Sequence, residues 1–300
     1  MKEFKDIGDD QIRIVGQDYN EGTRKGVWVA VAMLGVAVVA MAIFAMCGGK
    51  LLKDRSVSDE ELALFEPVVE TQSDVDIFVV PSTEEGYTEV CERVINDIEL
   101  KVFIPHNASM SLCLDLPDRE DRDIIYAAQA ADIRSDNGQI LGAFVLEGKP
   151  LAWGLSKRGF CASIGGKVTV GVADNSPLFE QATEQGGYFF RQYGLVQDGV
   201  LVENNPKGKS YRKAICDYNG QIMMVESRSQ ESFHDFAQAL VDMGVDQAVY
   251  LVGSYSYSWA YDKEGVRHDF GNDRYFVEEG IAVPQNITFM VWRKNSSVVE

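Results

Sequence analysis

Twenty consecutive residues, Val27 to Met46 (VWVAVAMLGVAVVAMAIFAM), carry no charged or polar side chain, and this run constrains the chain more than any other feature. At about 1.5 Å rise per residue, a helix of that length covers roughly the 30 Å hydrocarbon core of a bilayer. Helices of soluble domains are seldom apolar on every face for so long, so residues 27–48 read as one transmembrane anchor. A cleaved signal peptide fits less well, because its apolar core is about 7–15 residues and its charged leader short, whereas 26 mostly polar residues stand ahead of this run. Cys47 follows directly and raises a second reading, a lipidated cysteine, although Met46 is not the small residue that such processing favours. Arg24 and Lys25 on one flank face Lys50, Lys53 and Arg55 on the other, so flanking charge assigns no orientation.

The anchor divides the chain. Residues 1–26 hold six acids and five bases without apolar periodicity and read as a polar tail. Residues 49–70 read as a juxtamembrane stalk: Ser58 and Glu61 make a capping-box pattern ahead of Leu62, Leu64 and Phe65, and Pro67 ends it. A first strand is expected near Ile77–Val80, opening a domain over residues 71–295. The whole chain sets 46 Asp and Glu against 28 Lys and Arg, a formal charge of -18, with no basic stripe, which argues against a nucleic-acid partner. With 10% aromatic residues, the chain is too rich in core formers to stay disordered.

Beyond residue 71, short segments of period 2 recur between turn signals. Ile98–Ile104, Gln139–Leu146, Lys167–Val172, Leu195–Val202 split by Asp198-Gly199, and Ala214–Val225 split by Asn219-Gly220 read as strands or hairpins. The clearest helix runs from Ser232 to Met243: Ser232 caps it, Phe233, Phe236, Ala237, Leu240 and Val241 form one apolar stripe, and Gly244 stops it. Ala248–Val252 follows as a continuously apolar, buried strand. The expected class is α+β, a β-rich single domain with a few helices packed on the sheet, preceded by the transmembrane helix.

Several chemistries find no support. Cys47, Cys91, Cys113, Cys161 and Cys216 show no C-x-x-C spacing and only His106, His234 and His268 accompany them, so no metal site is expected. The last four cysteines read as buried thiols or, outside the cytoplasm, as one or two disulfides. P-loop, H-E-x-x-H and G-x-S-x-G motifs are missing, and no motif names a cofactor.

The informative stretch is Tyr211 to Trp259, in the order arginine, strand, Asn-Gly turn, strand, capped helix, glycine stop, buried strand, Gly/Ser/Tyr loop. This order resembles the phosphodiester glycosidase family, in which an Arg before an Ala-Ile strand and an L-D-G-G-x-S segment after the helix recur. Arg212 with Ala214 and Ile215 matches the first mark; Leu251, Gly253 and a serine at 254 or 256 match part of the second. Ala127 to Leu151 sits where the family has an Asn-Gly-Gly-Phe-Phe strand and hairpin. Gly187 to Val202 resembles its Gln-x-x-Pro-x-Leu-Val-x-Asn-Gly hairpin through Gln192, Leu195, Val196, Asp198 and Gly199. The likeness spans roughly residues 75–294 and ends on a final strand in PQNITFMVWRK. Three departures stand out: Val252 occupies the place of the motif Asp, Ser254 that of its second Gly, and Gln129 stands near the family's Asn.

The resemblance implies a sugar-1-phosphodiester as ligand, hydrolysed or only bound, and a C-terminal domain exported to the cell envelope. The catalytic candidates are Arg212, which falls on the family's Arg, Asp132 and Asp217, which lie near matched segments and read either as members of a hydrolytic carboxylate pair or as solvated surface acids, and His234 in the first turn of the helix; the substrate-binding candidates are Gln129, Gln192, Gly253, Ser254, Tyr255 and Ser256. A guanidinium at 212 suits a phosphate oxygen pair, or else a plain salt bridge on an acidic protein. His234 would be a proton shuttle, or an ordinary helix-surface histidine. The Ser/Tyr alternation after Gly253 reads equally as a ligand loop or as a strand. Because valine offers neither acid nor base, a non-catalytic carbohydrate-binding or envelope interaction protein on the same fold is the alternative function.

Overall fold

The computed structural model of the protein describes residues 85–295. The tail, the anchor over 27–48, Cys47, the stalk and the strand expected at Ile77–Val80 lie outside the described residues. Among the described residues no helix is long and apolar enough to cross a membrane.

Turn chemistry explains the local pairing. The hairpin between β12 (Lys213–Tyr218) and β13 (Gln221–Ser227) closes on Asn219 and Gly220 at φ 51° and 83°. Asp198 and Gly199, at 52° and 72°, close β10 (Gly194–Gln197) on β11 (Val200–Leu201). Two successive residues at positive φ match the twist of antiparallel strands, and Asn-Gly and Asp-Gly reach that conformation at least cost. The strand expected over Gln139–Leu146 shortens to β5 (Ala143–Leu146), because Gly142 turns to φ 92° and Ile140 makes only an isolated bridge to Ile133.

Among the described residues three antiparallel sheets result. The first has seven strands in the order β1 (Tyr87–Ile95), β2 (Ile98–His106), β13, β12, β14 (Gln247–Leu251), β10, β11. The second runs β16 (Arg267–Phe270), β15 (Ser258–Tyr261), β4 (Ile124–Gln129), β17 (Phe289–Lys294), β3 (Ala108–Cys113). The third runs β6 (Lys149–Trp153), β5, β9 (Tyr188–Gln192), β7 (Gly159–Ile164), β8 (Lys167–Val172). Among the described residues three helices accompany them: α1 (Leu178–Glu184), α2 (Phe233–Asp242) and α3 (Arg274–Val277). The domain is therefore β-rich with few helices, as expected.

Alternation along the strands sorts two cores. From the first sheet, Val102, Ala214, Val225, Ala248 and Tyr250 pack against the α2 stripe of Phe233, Phe236, Ala237 and Leu240. Ser232 Oγ caps α2 by accepting the Asp235 N–H at 3.0 Å, and Gly244 ends it at φ 91°. The opposite face buries Phe103, Ile215, Met224, Val249 and Leu251 against Tyr126, Phe190 and Met290 of the other sheets. Each such side chain contributes about 1.5–3 kcal/mol on leaving water. On this inner face lies one polar row, Lys101, Glu226 and Lys213, paired strand to strand and ending on Leu251.

Candidate functional site

A cleft of about 410 Å³ opens where β4 and β14 end. The residues following β14, from Val252 to Tyr257, form one wall; Gln129, Ala131, Asp132 and Ile133, which end and follow β4, form another. The floor and rim add Asn272, Arg274 and the approach to β17 around Thr288. Backbone bonds join these pieces: the Val252 N–H donates to Gln129 O at 3.1 Å, and the Ala130 N–H to Thr288 O at 3.2 Å. Thr288 Oγ1 both accepts from the Ala131 N–H and donates to Ala131 O, each at 2.8 Å.

The Gly/Ser/Tyr segment is a loop up to Tyr257, and the strand begins only at Ser258. Gly253 is required by space: a Cβ there would stand 2.3 Å from Tyr250 Oη and 2.4 Å from Tyr211 O. Its N–H donates to that same Tyr250 Oη at 3.1 Å, and the Ser254 N–H to Tyr211 O at 2.8 Å. Ser254 sits at φ 56°, a left-handed conformation that glycine adopts more readily. Ser254, which the sequence sets in the place of a motif glycine, thus has a backbone shape that favours glycine.

Asp132 is the one carboxylate among the residues lining the cleft, and Arg274 the one cation. Lys157, buried to 3% exposure, donates to Asp132 Oδ2 and to Gln192 Oε1, with its ammonium 4.6 Å from the Tyr193 ring. Gln192 is fully buried, and its Nε2 has no hydrogen-bond partner among the described residues. Gln192 therefore reaches the cleft only through Lys157 and Asp132. Arg191 anchors the loop that carries Lys157, donating to Lys157 O at 2.8 Å and to Ala173 O at 3.0 Å. Arg274 stacks 4.9 Å from the Tyr275 ring and donates to Tyr275 Oη at 3.0 Å.

Of the residues singled out from sequence, the fold brings Gln129, Asp132, Gly253, Ser254, Tyr255 and Ser256 to one cleft. Arg212 is placed behind the loop instead. Its buried guanidinium donates to Glu231 O at 2.8 Å and Gly208 O at 2.6 Å and lies 4.2 Å from the Phe233 ring, and it is not among the lining residues. Asp217 sits at the far end of β12, where Oδ1 accepts the Gly220 N–H at 2.7 Å and shapes the hairpin turn. His234 is exposed on the first turn of α2, 2.9 Å from Glu203. Neither approaches the cleft, because α2 covers the outer face of the first sheet and the β12–β13 turn lies at the opposite end of the strands.

Lys157, Lys213, Arg274 and Thr288 carried no sequence signal. Lys213 is fully buried and donates to Ser256 O at 2.6 Å and Ser258 Oγ at 2.8 Å, with Glu226 at 3.9 Å. Burial pushes its ammonium down to about 8, against the opposing pull of Glu226. Ser258 Oγ in turn donates to Glu226 Oε1 at 2.6 Å. Cys91, Cys113, Cys161 and Cys216 are free thiols; burial pushes Cys161 and Cys216 well above the ordinary range, which leaves them inert. No group of three His, Cys, Asp or Glu side chains among the described residues is placed to hold a metal ion.

No curated protein matches the chain. Among solved structures, the catalytic domain of zebrafish N-acetylglucosamine-1-phosphodiester alpha-N-acetylglucosaminidase, described as auto-inhibited by its pro-peptide, is similar at 12% identity and a TM-score of 0.49. That match covers 72% of this chain and 85% of the other. A hypothetical protein from Synechocystis is similar at 13% identity and a TM-score of 0.46, covering 69% of this chain and 62% of the other. The sequence pattern of the family described as phosphodiester glycosidase matches residues 123–286, more than half of the chain and all of the cleft-lining residues except Ile287, Thr288 and Phe289. On that match, the chain belongs to the phosphodiester glycosidase family.

Proposed function

We propose that the cleft between the β4 end and the 252–257 loop takes a sugar joined through phosphate. The observation that carries this reading is the pairing of one carboxylate, Asp132, with one guanidinium, Arg274, along a single cleft that also holds the family's loop. A guanidinium offers two parallel donors to a phosphate, and a carboxylate accepts from sugar hydroxyls or takes up a proton. Asp132 is the group that would act in hydrolysis, with Arg274 on the phosphate of the leaving group. Incubating the protein with a panel of sugar-1-phosphodiesters, N-acetylglucosamine derivatives first, tests it. Release of free sugar that disappears in Asp132→Asn is the expected result; neither release nor binding across the panel refutes it.

A second reading, recognition without cleavage, is favoured by Val252. Glycoside hydrolysis ordinarily uses two carboxylates about 5–10 Å apart, and the cleft lining holds one. Binding of a sugar 1-phosphate with no turnover, together with hydrolysis gained by Val252→Asp, would support a site that lost its second acid. The apolar run at Val27–Met46 supports a further part of the proposal, a single-pass anchor that holds the domain outside the cytoplasm as a cell-envelope protein. Protease added to intact cells should then digest the C-terminal domain.

A further inference from the structure

The cleft wall from Val252 to Tyr257 leaves a buried strand and turns back into another, and its backbone is pinned at several points. Its amides bond outward and inward: Val252 N–H to Gln129 O, Ser254 N–H to Tyr211 O, and Ser256 N–H to Gly253 O at 3.1 Å. Ser256 Oγ donates to Val252 O, which closes the loop on itself. None of these bonds holds the Ser256 carbonyl, which accepts instead from the ammonium of Lys213.

We infer that Lys213 is the positioning residue of this cleft, its buried ammonium gripping Ser256 and Ser258 from behind and so setting the shape of the 252–257 wall. Four observations carry it. Lys213 pairs in register with Leu251, the last strand residue before the wall, so its side chain rises on the inner face directly beside the loop's origin. Its ammonium reaches Ser256 O at 2.6 Å, Ser256 Oγ at 3.4 Å and Ser258 Oγ at 2.8 Å, which brackets the loop's exit. Glu226, fully buried, stands 3.9 Å away and itself accepts from Ser258 Oγ, so the same serine is held by both charges. The Phe270 ring lies 5.1 Å from the ammonium, which is fully buried. A buried charge pair of this kind adds little net stability over an apolar pair of the same volume, so what it contributes is the definition of one geometry.

The inference concerns the same cleft as the proposed function, but its test reads the loop rather than the ligand. Amide hydrogen exchange is followed in the full-length protein, in Lys213→Met, and in the double variant Lys213→Met with Glu226→Gln. The single variant strands the buried Glu226 and loosens the fold generally; the double removes both charges and is expected to regain the unfolding midpoint of the unaltered protein. In the double variant the amides of Val252, Ser254 and Ser256 should still exchange at least tenfold faster, while those of β12 and β14 stay unchanged. Ser258→Ala, which deletes one anchor at almost constant volume, should speed the same amides by a smaller factor. Exchange at those three amides within twofold of the unaltered protein, in either the double variant or Ser258→Ala, overturns the inference. Binding of N-acetylglucosamine 1-phosphate is measured in parallel: a tenfold loss in the double variant with its midpoint restored is a change that a merely structural lysine would not produce.

Discussion

Gly253→Ala is the substitution whose effect follows most directly from the geometry. The added methyl would sit 2.3 Å from Tyr250 Oη and 2.4 Å from Tyr211 O, well inside contact distance. Neither oxygen can give way cheaply. Tyr250 Oη accepts the Gly253 N–H and lies 3.4 Å from Arg212 Nη1, while Tyr211 O accepts the Ser254 N–H. Forcing a methyl into a packed site costs about 1–3 kcal/mol, and leaving a buried donor without its acceptor costs about 1–3 kcal/mol more. The two combine to about 4 kcal/mol, or roughly 8–16 °C in melting temperature for a domain of this size. Thermal unfolding followed by near-ultraviolet circular dichroism reads it, and ligand binding should fall as well, because the displaced backbone is the cleft wall. A melting temperature within about 2 °C of the unaltered protein would refute the claim that Gly253 is held by space.

At the next residue the sign reverses. Ser254→Gly relieves a left-handed serine worth about 1–2 kcal/mol against about 0.4–1 kcal/mol of extra chain entropy, so stability should rise by about 0.5–1 kcal/mol in urea titration; a decrease contradicts it. Asp132→Ala strands the Lys157 ammonium beside Gln192 and should cost about 3 kcal/mol, and a loss under about 1 kcal/mol would mean the pair is not formed in solution. Arg212→Ala exposes no cleft surface but removes the donors to Glu231 O and Gly208 O. It should lower stability by about 3 kcal/mol, a prediction that a purely ligand-binding arginine would fail. Lys213 titrates near 8 in the fold against an ordinary 10.5, so between those values the unfolded chain holds the extra proton and stability from this group rises with pH. The unfolding free energy of the unaltered protein, relative to the double variant Lys213→Met with Glu226→Gln, should therefore grow by about 3 kcal/mol from pH 7 to 11. Cys161, Cys216 and Tyr126, raised by burial, act oppositely above pH 9 but equally in both proteins; a flat difference would refute the burial of this charge.

Much of the domain was legible because its signals are local. Asn219-Gly220 and Asp198-Gly199 close hairpins through their own backbone preferences, and Ser232 caps α2 through an amide three residues on. Lys167–Val172 alternates cleanly and forms β8 over the same residues. The ordered motifs also marked Gln129, Asp132 and the loop after Gly253, all of which line one cleft. Arg212 shows where such reading stops: a motif arginine can serve a phosphate or hold a backbone, and only its partners distinguish the two roles. Here those partners include Glu231 O, Gly208 O and the Phe233 ring.

By itself the sequence determined the β-rich class, the hairpin turns, the capped helix and the family, since each rests on residues close together or in fixed order along the chain. The tertiary structure alone decided which side chains meet. The strand order β2, β13, β12, β14, β10 is not the order of the chain, and it sets Lys101, Glu226 and Lys213 side by side. The same folding carries Lys157 to Asp132 and Arg274 to the end of β4. Period and turn chemistry act over a few residues, whereas the partner of a buried charge is chosen by packing across sheets; that is why the ammonium groups behind the cleft left no trace in the sequence pattern.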